Sequence, residues 1–225
     1  MKCIPPTDTE LAAMYDAAAE HRHNRLGLLG YSQAYEDLFD RLLSDGTLRP
    51  LRDGGGRVLD CGIGAGAFSL ALAGKVAAPV QVEGVDISPS VLLRACLNLD
   101  RAGVEVRPHL RDAKDLPFED DAFEAVIGTH VLERFLNDPF AGVSEMARVL
   151  KPGGPLVIAG SGRSMREALR CPKRCYERIA PNRLIHHWMG EAGLAGVRAY
   201  PLLADGPPPR RVGIAWVGCK EGVGR

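Results

Sequence analysis

Asp60, Gly62, Gly64 and Gly66 stand at alternate positions in the run Val58-Leu59-Asp60-Cys61-Gly62-Ile63-Gly64-Ala65-Gly66-Ala67-Phe68. Val58 and Leu59 are a short apolar stretch fit for a buried strand, and Leu70, Ala71, Leu72 and Ala73 continue as a helix. A strand that turns through three glycines into a helix leaves its backbone N–H groups bare, with no side chain blocking a ligand. The same residues contain Gly62-x-Gly64-x-x-Ala67, which also fits the dinucleotide fingerprint. Asp60, two residues ahead of the first glycine, is what the dinucleotide pattern does not ask for.

More acids follow at spacings a layered α/β chain would give them. Asp86 ends the alternating run Val80-Gln81-Val82-Glu83-Gly84-Val85, one strand–helix–strand step after Asp60, with Ile87 beside it. A carboxylate at that strand tip can accept both hydroxyls of a ribose. Asp112-Ala113 follows a third strand begun by Val104-Glu105-Val106-Arg107. Thr129 and His130 come directly after a fourth strand, Phe123 to Gly128, where an open parallel sheet presents residues to its ligand crevice.

Asp60-x-Gly62-x-Gly64-x-Gly66, Asp86, Asp112-Ala113 and the turn Leu150-Lys151-Pro152-Gly153-Gly154 together resemble the class I S-adenosylmethionine-dependent methyltransferases, over about residues 55 to 200. That resemblance implies S-adenosyl-L-methionine as cofactor and methyl transfer to a small-molecule acceptor. The cofactor's sulfonium and ammonium charges suit a carboxylate at position 60, which would repel a pyrophosphate. Asp112 would accept the adenine amine, and the Ala113 N–H would meet a ring nitrogen. The implied cofactor set is Asp60, Gly62, Gly64, Gly66, Asp86, Ile87, Asp112, Ala113 and Thr129. Family members often carry histidine where this chain has Arg134, so the acceptor's identity does not transfer.

Methyl transfer is an in-line displacement at an already activated carbon, so the protein's work is alignment and exclusion of water. A base is needed only if the acceptor must lose a proton. His130 is the candidate, since imidazole titrates near neutrality; a pocket-shaping role competes with it. Tyr15 and His21, with His23, are further acceptor-side candidates. Two other classes fit parts of the pattern: an NAD(P)-dependent oxidoreductase, and a non-catalytic methyltransferase-like binding subunit.

The elements that must position these residues read as an α/β fold: a doubly wound, seven-stranded, mostly parallel Rossmann-like sheet with one antiparallel strand near the C-terminus. The last two strands, Gly196 to Pro201 and Val212 to Val217, have no helix between them and must run antiparallel. Helical patterns over residues 9 to 45, broken near Gly27 and Gly30, suggest a helical cap or lid over 1–50 ahead of a cofactor domain over 51–225, and Gly46 to Gly56 reads as a linker. Ser88-Pro89 and Asp138-Pro139 are helix starts. A second reading of the first helices is simple packing with a solvated face.

The chain has 225 residues, 46% of them hydrophobic, and 28 basic against 28 acidic side chains. That balance disfavours nucleic acid as a partner, and no apolar run approaches the roughly 20 residues of a membrane span. The six cysteines are scattered, as in reduced cytoplasmic proteins. Cys171 and Cys175 lack a second pair at matching spacing, so no metal is expected. Arginines and lysines between 163 and 178 are either an acceptor-holding patch or a solvated face. A monomer or homodimer is expected.

Overall fold

The computed structural model describes residues 30–52, 54–132, 138–160, 182–206 and 208–222. Among the described residues six helices and seven strands occur in the order α1 (Tyr31–Ser44), α2 (Arg49–Arg52), β1 (Gly56–Cys61), α3 (Ala67–Ala73), β2 (Val80–Asp86), α4 (Pro89–Arg101), β3 (Val106–Leu110), β4 (Ala125–Thr129), α5 (Pro139–Arg148), β5 (Pro155–Gly160), α6 (Asn182–Glu191), β6 (Leu194–Ala204) and β7 (Arg210–Lys220). The strands form one sheet in the order β3-β2-β1-β4-β5-β7-β6. All neighbours are parallel except at β7, which runs against both β5 and β6. The doubly wound sheet with one reversed strand is therefore present as the sequence implied.

Strand order reverses between β1 and β4, and it is there that an open α/β sheet parts its helices into a crevice. Alternation along the strands sorts the core into two layers. Val58, Val82 and Ile127 face a cluster filled by Leu38, Phe39 and Leu42 of α1, Phe68 and Leu72 of α3, and Leu92 and Leu99 of α4. Leu59, Cys61 and Val126 face the other, built from Val143 and Met146 of α5 with Ile185 and Met189 of α6. β5 is a continuous apolar run, and β1 is buried over its last four residues, because both their faces are covered.

Two stretches depart from the sequence reading. Gly46 to Gly56 is not merely a linker: Leu48, in the turn just before α2, and Leu51, within α2, are fully buried in the core. The third strand is shifted to Val106–Leu110, carrying His109, whose Nε2 lies 2.7 Å from the buried Glu83 carboxylate. Burial pushes the Glu83 carboxyl up, but hydrogen bonds from His109 and Arg57 outweigh it and hold it below its ordinary value. The first of the two helical patterns, within residues 9–29, lies outside the described residues.

The β3–β4 loop is tied to α5 chiefly through Arg148 and Glu145. Arg148, in the last turn of α5, donates to Glu145 on its own helix, to the Leu116 and Phe118 carbonyls, and to Asp120. Glu145 in turn accepts the Leu116 N–H at 2.9 Å. Replacing Arg148 by alanine leaves two loop carbonyls and a half-buried Glu145 without their donor. We expect a loss of about 1–2 kcal/mol, since charged hydrogen bonds sit at the upper end of the usual range. Calorimetric melting checks this, and an unchanged Tm would show that the loop is held otherwise.

Candidate functional site

The parallel register lines up the carboxyl ends of β1, β2, β3 and β4. Asp60 lies opposite Gly84 and Ile127, and Asp86 opposite Leu110, so Asp60, Asp86 and Thr129 share the crevice edge of the sheet. From that edge β1 passes into the glycine turn. Gly62, Gly64 and Gly66 all take left-handed backbone, with φ of +66°, +57° and +83°. That is why the sequence needs glycine there: other L-residues pay for this conformation. Gly64 differs from its neighbours in what surrounds it. A Cβ at Gly66 would press on Leu99 at 3.2 Å, whereas one at Gly64 would meet no side chain within 4 Å. Gly64 therefore leaves open space at the tip of the turn, where a ligand can approach.

Asp86 closes the turn onto β2. Its Oδ2 accepts the Gly64 N–H at 3.2 Å and its Oδ1 the Ser88 N–H at 3.1 Å. The half-buried Asp86 carboxylate thus sits over the glycine tip, next to half-buried Ile87. Ser88 then caps α4, its side chain accepting from Val91, with Pro89 in the first turn. The turn is also pinned from below, because the Gly62 and Ile63 N–H groups both donate to the Val85 carbonyl, at 2.7 and 3.0 Å.

Asp60 occupies a different environment from the one an exposed strand tip would give. It is fully buried, on the same face as Val58, and its Oδ2 accepts the Ser69 hydroxyl of α3 at 2.6 Å. Its Oδ1 is buried with no hydrogen-bond partner among the described residues. Burial, with Asp86 nearby, pushes the Asp60 carboxyl up to about 7 against the hydrogen bonds of Ser69. A charge with one lone oxygen in a dry site is costly unless a cation or a proton meets it.

Asp112 is held in a tight turn. Its Oδ1 accepts the Lys114 N–H at 2.9 Å, and Lys114 Nζ stands 3.3 Å from its Oδ2. Ala113 beside it is buried. Thr129 is the last residue of β4 and pairs with Ala159. His130 follows with a positive φ of 54°, its N–H donating to the Ala159 carbonyl at 2.7 Å, and its ring packs on Tyr31. Tyr15, His21 and His23 lie outside the described residues, as do Arg134, the basic 163–178 stretch, Cys171 and Cys175. Among the described residues no group of three or more His, Cys, Asp or Glu could hold a metal ion, and no helix is long and apolar enough to cross a membrane.

Three contributors were missed in the sequence. Ser69 carried a signal, being the one polar residue within Ala67–Ala73 and nine positions after a buried acid. Gly84 is required because a Cβ there would stand 2.5 Å from the Ile63 side chain of the glycine turn. Tyr31 gave no local signal, because only the tertiary fold brings it to His130.

The sheet order, the left-handed glycine turn and the acid clamped over it define a Rossmann-like α/β protein with an open ligand crevice. A family model described as a methyltransferase domain matches residues 58–154. The ubiquinone/menaquinone biosynthesis C-methyltransferase of Geobacter sp. strain M21 is 33% identical over 137 residues, covering 54% of this chain and 56% of that protein. The phosphatidylethanolamine N-methyltransferase of Cereibacter sphaeroides is 40% identical over 106 residues, covering 46% of this chain and 50% of that protein. The chain thus spans about half the length of these curated relatives. The magnesium protoporphyrin IX methyltransferase of Synechocystis PCC 6803, solved with S-adenosylmethionine bound, superposes with a TM-score of 0.70 at 18% identity, covering 98% of this chain and 100% of that one. Residues 58–154 thus match a methyltransferase domain, carried on a sheet with the fold of a solved methyltransferase. The methyltransferase match, which includes Gly62-x-Gly64-x-x-Ala67, weighs against the nicotinamide-dependent reading of those residues.

Proposed function

We propose that this chain binds S-adenosyl-L-methionine along the Gly62–Gly66 turn and transfers its methyl group to a small-molecule acceptor. The observation that carries this reading is the Asp86 carboxylate seated over the open Gly64 tip. In this reading Asp86 and Ile87 take the ribose side. Asp112 and Ala113 take the adenine, with Lys114 giving up part of its hold on Asp112. Gly62, Gly64 and Gly66 offer bare backbone to the methionine portion. Thr129 and His130 stand at the sulfonium end, where His130 serves as base or pocket wall for the acceptor. Tyr15 and His21, within the proposed N-terminal cap, belong to the acceptor side. A cytoplasmic location and a monomer or homodimer complete the proposal.

The chemistry asks little of the protein beyond alignment and dryness. The sulfonium supplies the activated methyl, and the chain holds donor and acceptor in line while excluding water. Asp60 adds an electrostatic component. Without a ligand its carboxyl, raised to about 7, is protonated below neutrality, so the cation-binding form must first lose a proton. The sign follows: folded-state stability from this group is full below the ordinary carboxylate value and is lost as pH rises through about 7. Cofactor affinity moves the other way, rising with pH to about 7. We expect binding to be weaker by roughly tenfold at pH 6 than at pH 8 for a single linked proton. Asp60→Asn should flatten that slope; a wild-type affinity independent of pH would remove Asp60 from contact with the cofactor's charge.

The test of function is mass spectrometry of the purified protein for retained S-adenosylmethionine or its demethylated product, followed by incubation with methyl-labelled cofactor and a panel of small acceptors. Label in the small-molecule fraction is expected. Cofactor retained with no transfer to any acceptor, and label only in a protein partner, would point to the methyltransferase-like subunit instead.

A further inference from the structure

His130 has no glycine's freedom, yet its backbone is left-handed, a strained conformation that persists only where the surroundings hold it. One support is the N–H bond to Ala159 on β5. The other is aromatic. The Tyr31 and His130 ring centroids are 5.3 Å apart at 67°, an edge contact across the mouth of the crevice.

Tyr31 is itself fixed on several sides. It opens α1 directly after Gly30, whose left-handed turn lies so close to β6 that a Cβ there would stand 2.6 Å from that of Ala204. Its ring lies over Gly213 of β7, where a Cβ would meet Tyr31 Cε1 at 3.3 Å and the Gly160 carbonyl at 2.6 Å. Tyr35 flanks it at 5.6 Å and leans in turn on Phe68 at 4.8 Å. Finally its hydroxyl donates to the Val212 carbonyl of β7. Only 5% of Tyr31 is exposed, so the ring has little room to move while that bond is made.

We propose that Tyr31 is a positioning residue for His130: the hydroxyl bond to Val212 locks the ring, and the ring's edge sets the orientation of the imidazole at the crevice. The reversed strand β7, which contributes none of the site residues above, thereby helps to aim the acceptor-side histidine. The inference rests on the proposed acceptor-side role of His130, but the geometry it concerns can be measured without turnover.

The test uses Tyr31→Phe in the full chain, which keeps the ring and its packing and removes only the donor. Imidazole Cε1–H resonances are recorded for the six histidines, with His130 assigned by its loss in His130→Gln. A shifted or broadened His130 signal, with the other five in place, is the expected result; a His130 signal superimposable on wild type overturns the proposal. With an acceptor in hand, Tyr31→Phe should lower kcat severalfold, leave cofactor Kd unchanged, and add nothing in a His130→Ala background. Multiplicative losses would mean that Tyr31 does not act through His130. If the wild type binds no S-adenosylmethionine, the functional reading fails while the resonance result still decides the Tyr31 question.

Discussion

Replacing Asp86 with alanine should weaken S-adenosylmethionine binding by about 1.5–3 kcal/mol, or about ten- to 150-fold, the usual cost of losing a charged hydrogen-bonding site. Two losses combine in that figure. The ribose would lose its acceptor, and the turn would lose the clamp between Gly64 and Ser88. Asp86→Asn separates them. An amide oxygen can still accept one of the backbone N–H groups, so the turn stays closed while the charge is gone. Calorimetric titration of both variants, with melting curves to confirm folding, reads the difference. An alanine variant that binds as the wild type does would take Asp86 out of the site.

Replacing His130 with alanine should lower turnover by about 10²-fold or more if the imidazole moves a proton, the lower end of what a positioned acid–base group contributes. Cofactor affinity should stay within about twofold, because the proposed nucleoside contacts lie on β1, β2 and the β3–β4 loop. Alanine, however, must adopt the same left-handed backbone as His130, at its own cost. Asparagine tolerates that conformation better and lacks the ring. His130→Asn is therefore the cleaner variant, and equal losses in the two would assign the effect to the imidazole. Turnover unaltered in both would leave His130 as pocket wall.

The fold was legible where local rules agree with the tertiary outcome. Glycines at 62, 64 and 66 could only mean special backbone, and all three are left-handed. Ser88-Pro89 and Asp138-Pro139 cap α4 and α5 as their types dictate. The absence of a helical pattern between the last two strands forced the reversal seen at β7. Legibility failed where burial is decided at a distance. The turn-rich composition of Gly46 to Gly56 hid Leu48 and Leu51, whose burial depends on a core assembled by later elements. The third strand is legible, but its start at Val104 is two residues early and its polar end is hidden, because Glu83 on the neighbouring strand satisfies His109. The sequence places Asp60 at a strand tip facing the cofactor's charge, directly or through water, but gives no sign that the side chain is fully buried with Ser69 on its Oδ2. The partnership of Tyr31 with His130 has no signature in any window of sequence.

The Gly62–Gly66 turn and Asp86 are proposed to form a nucleoside seat. The most direct measurement is a crystal structure of the protein grown with S-adenosylhomocysteine. The ligand should lie along the turn, its ribose hydroxyls on the Asp86 carboxylate and its adenine beside Asp112 and Ala113. An empty turn at saturating ligand, or a nucleoside bound elsewhere with Asp86 facing solvent, would contradict it.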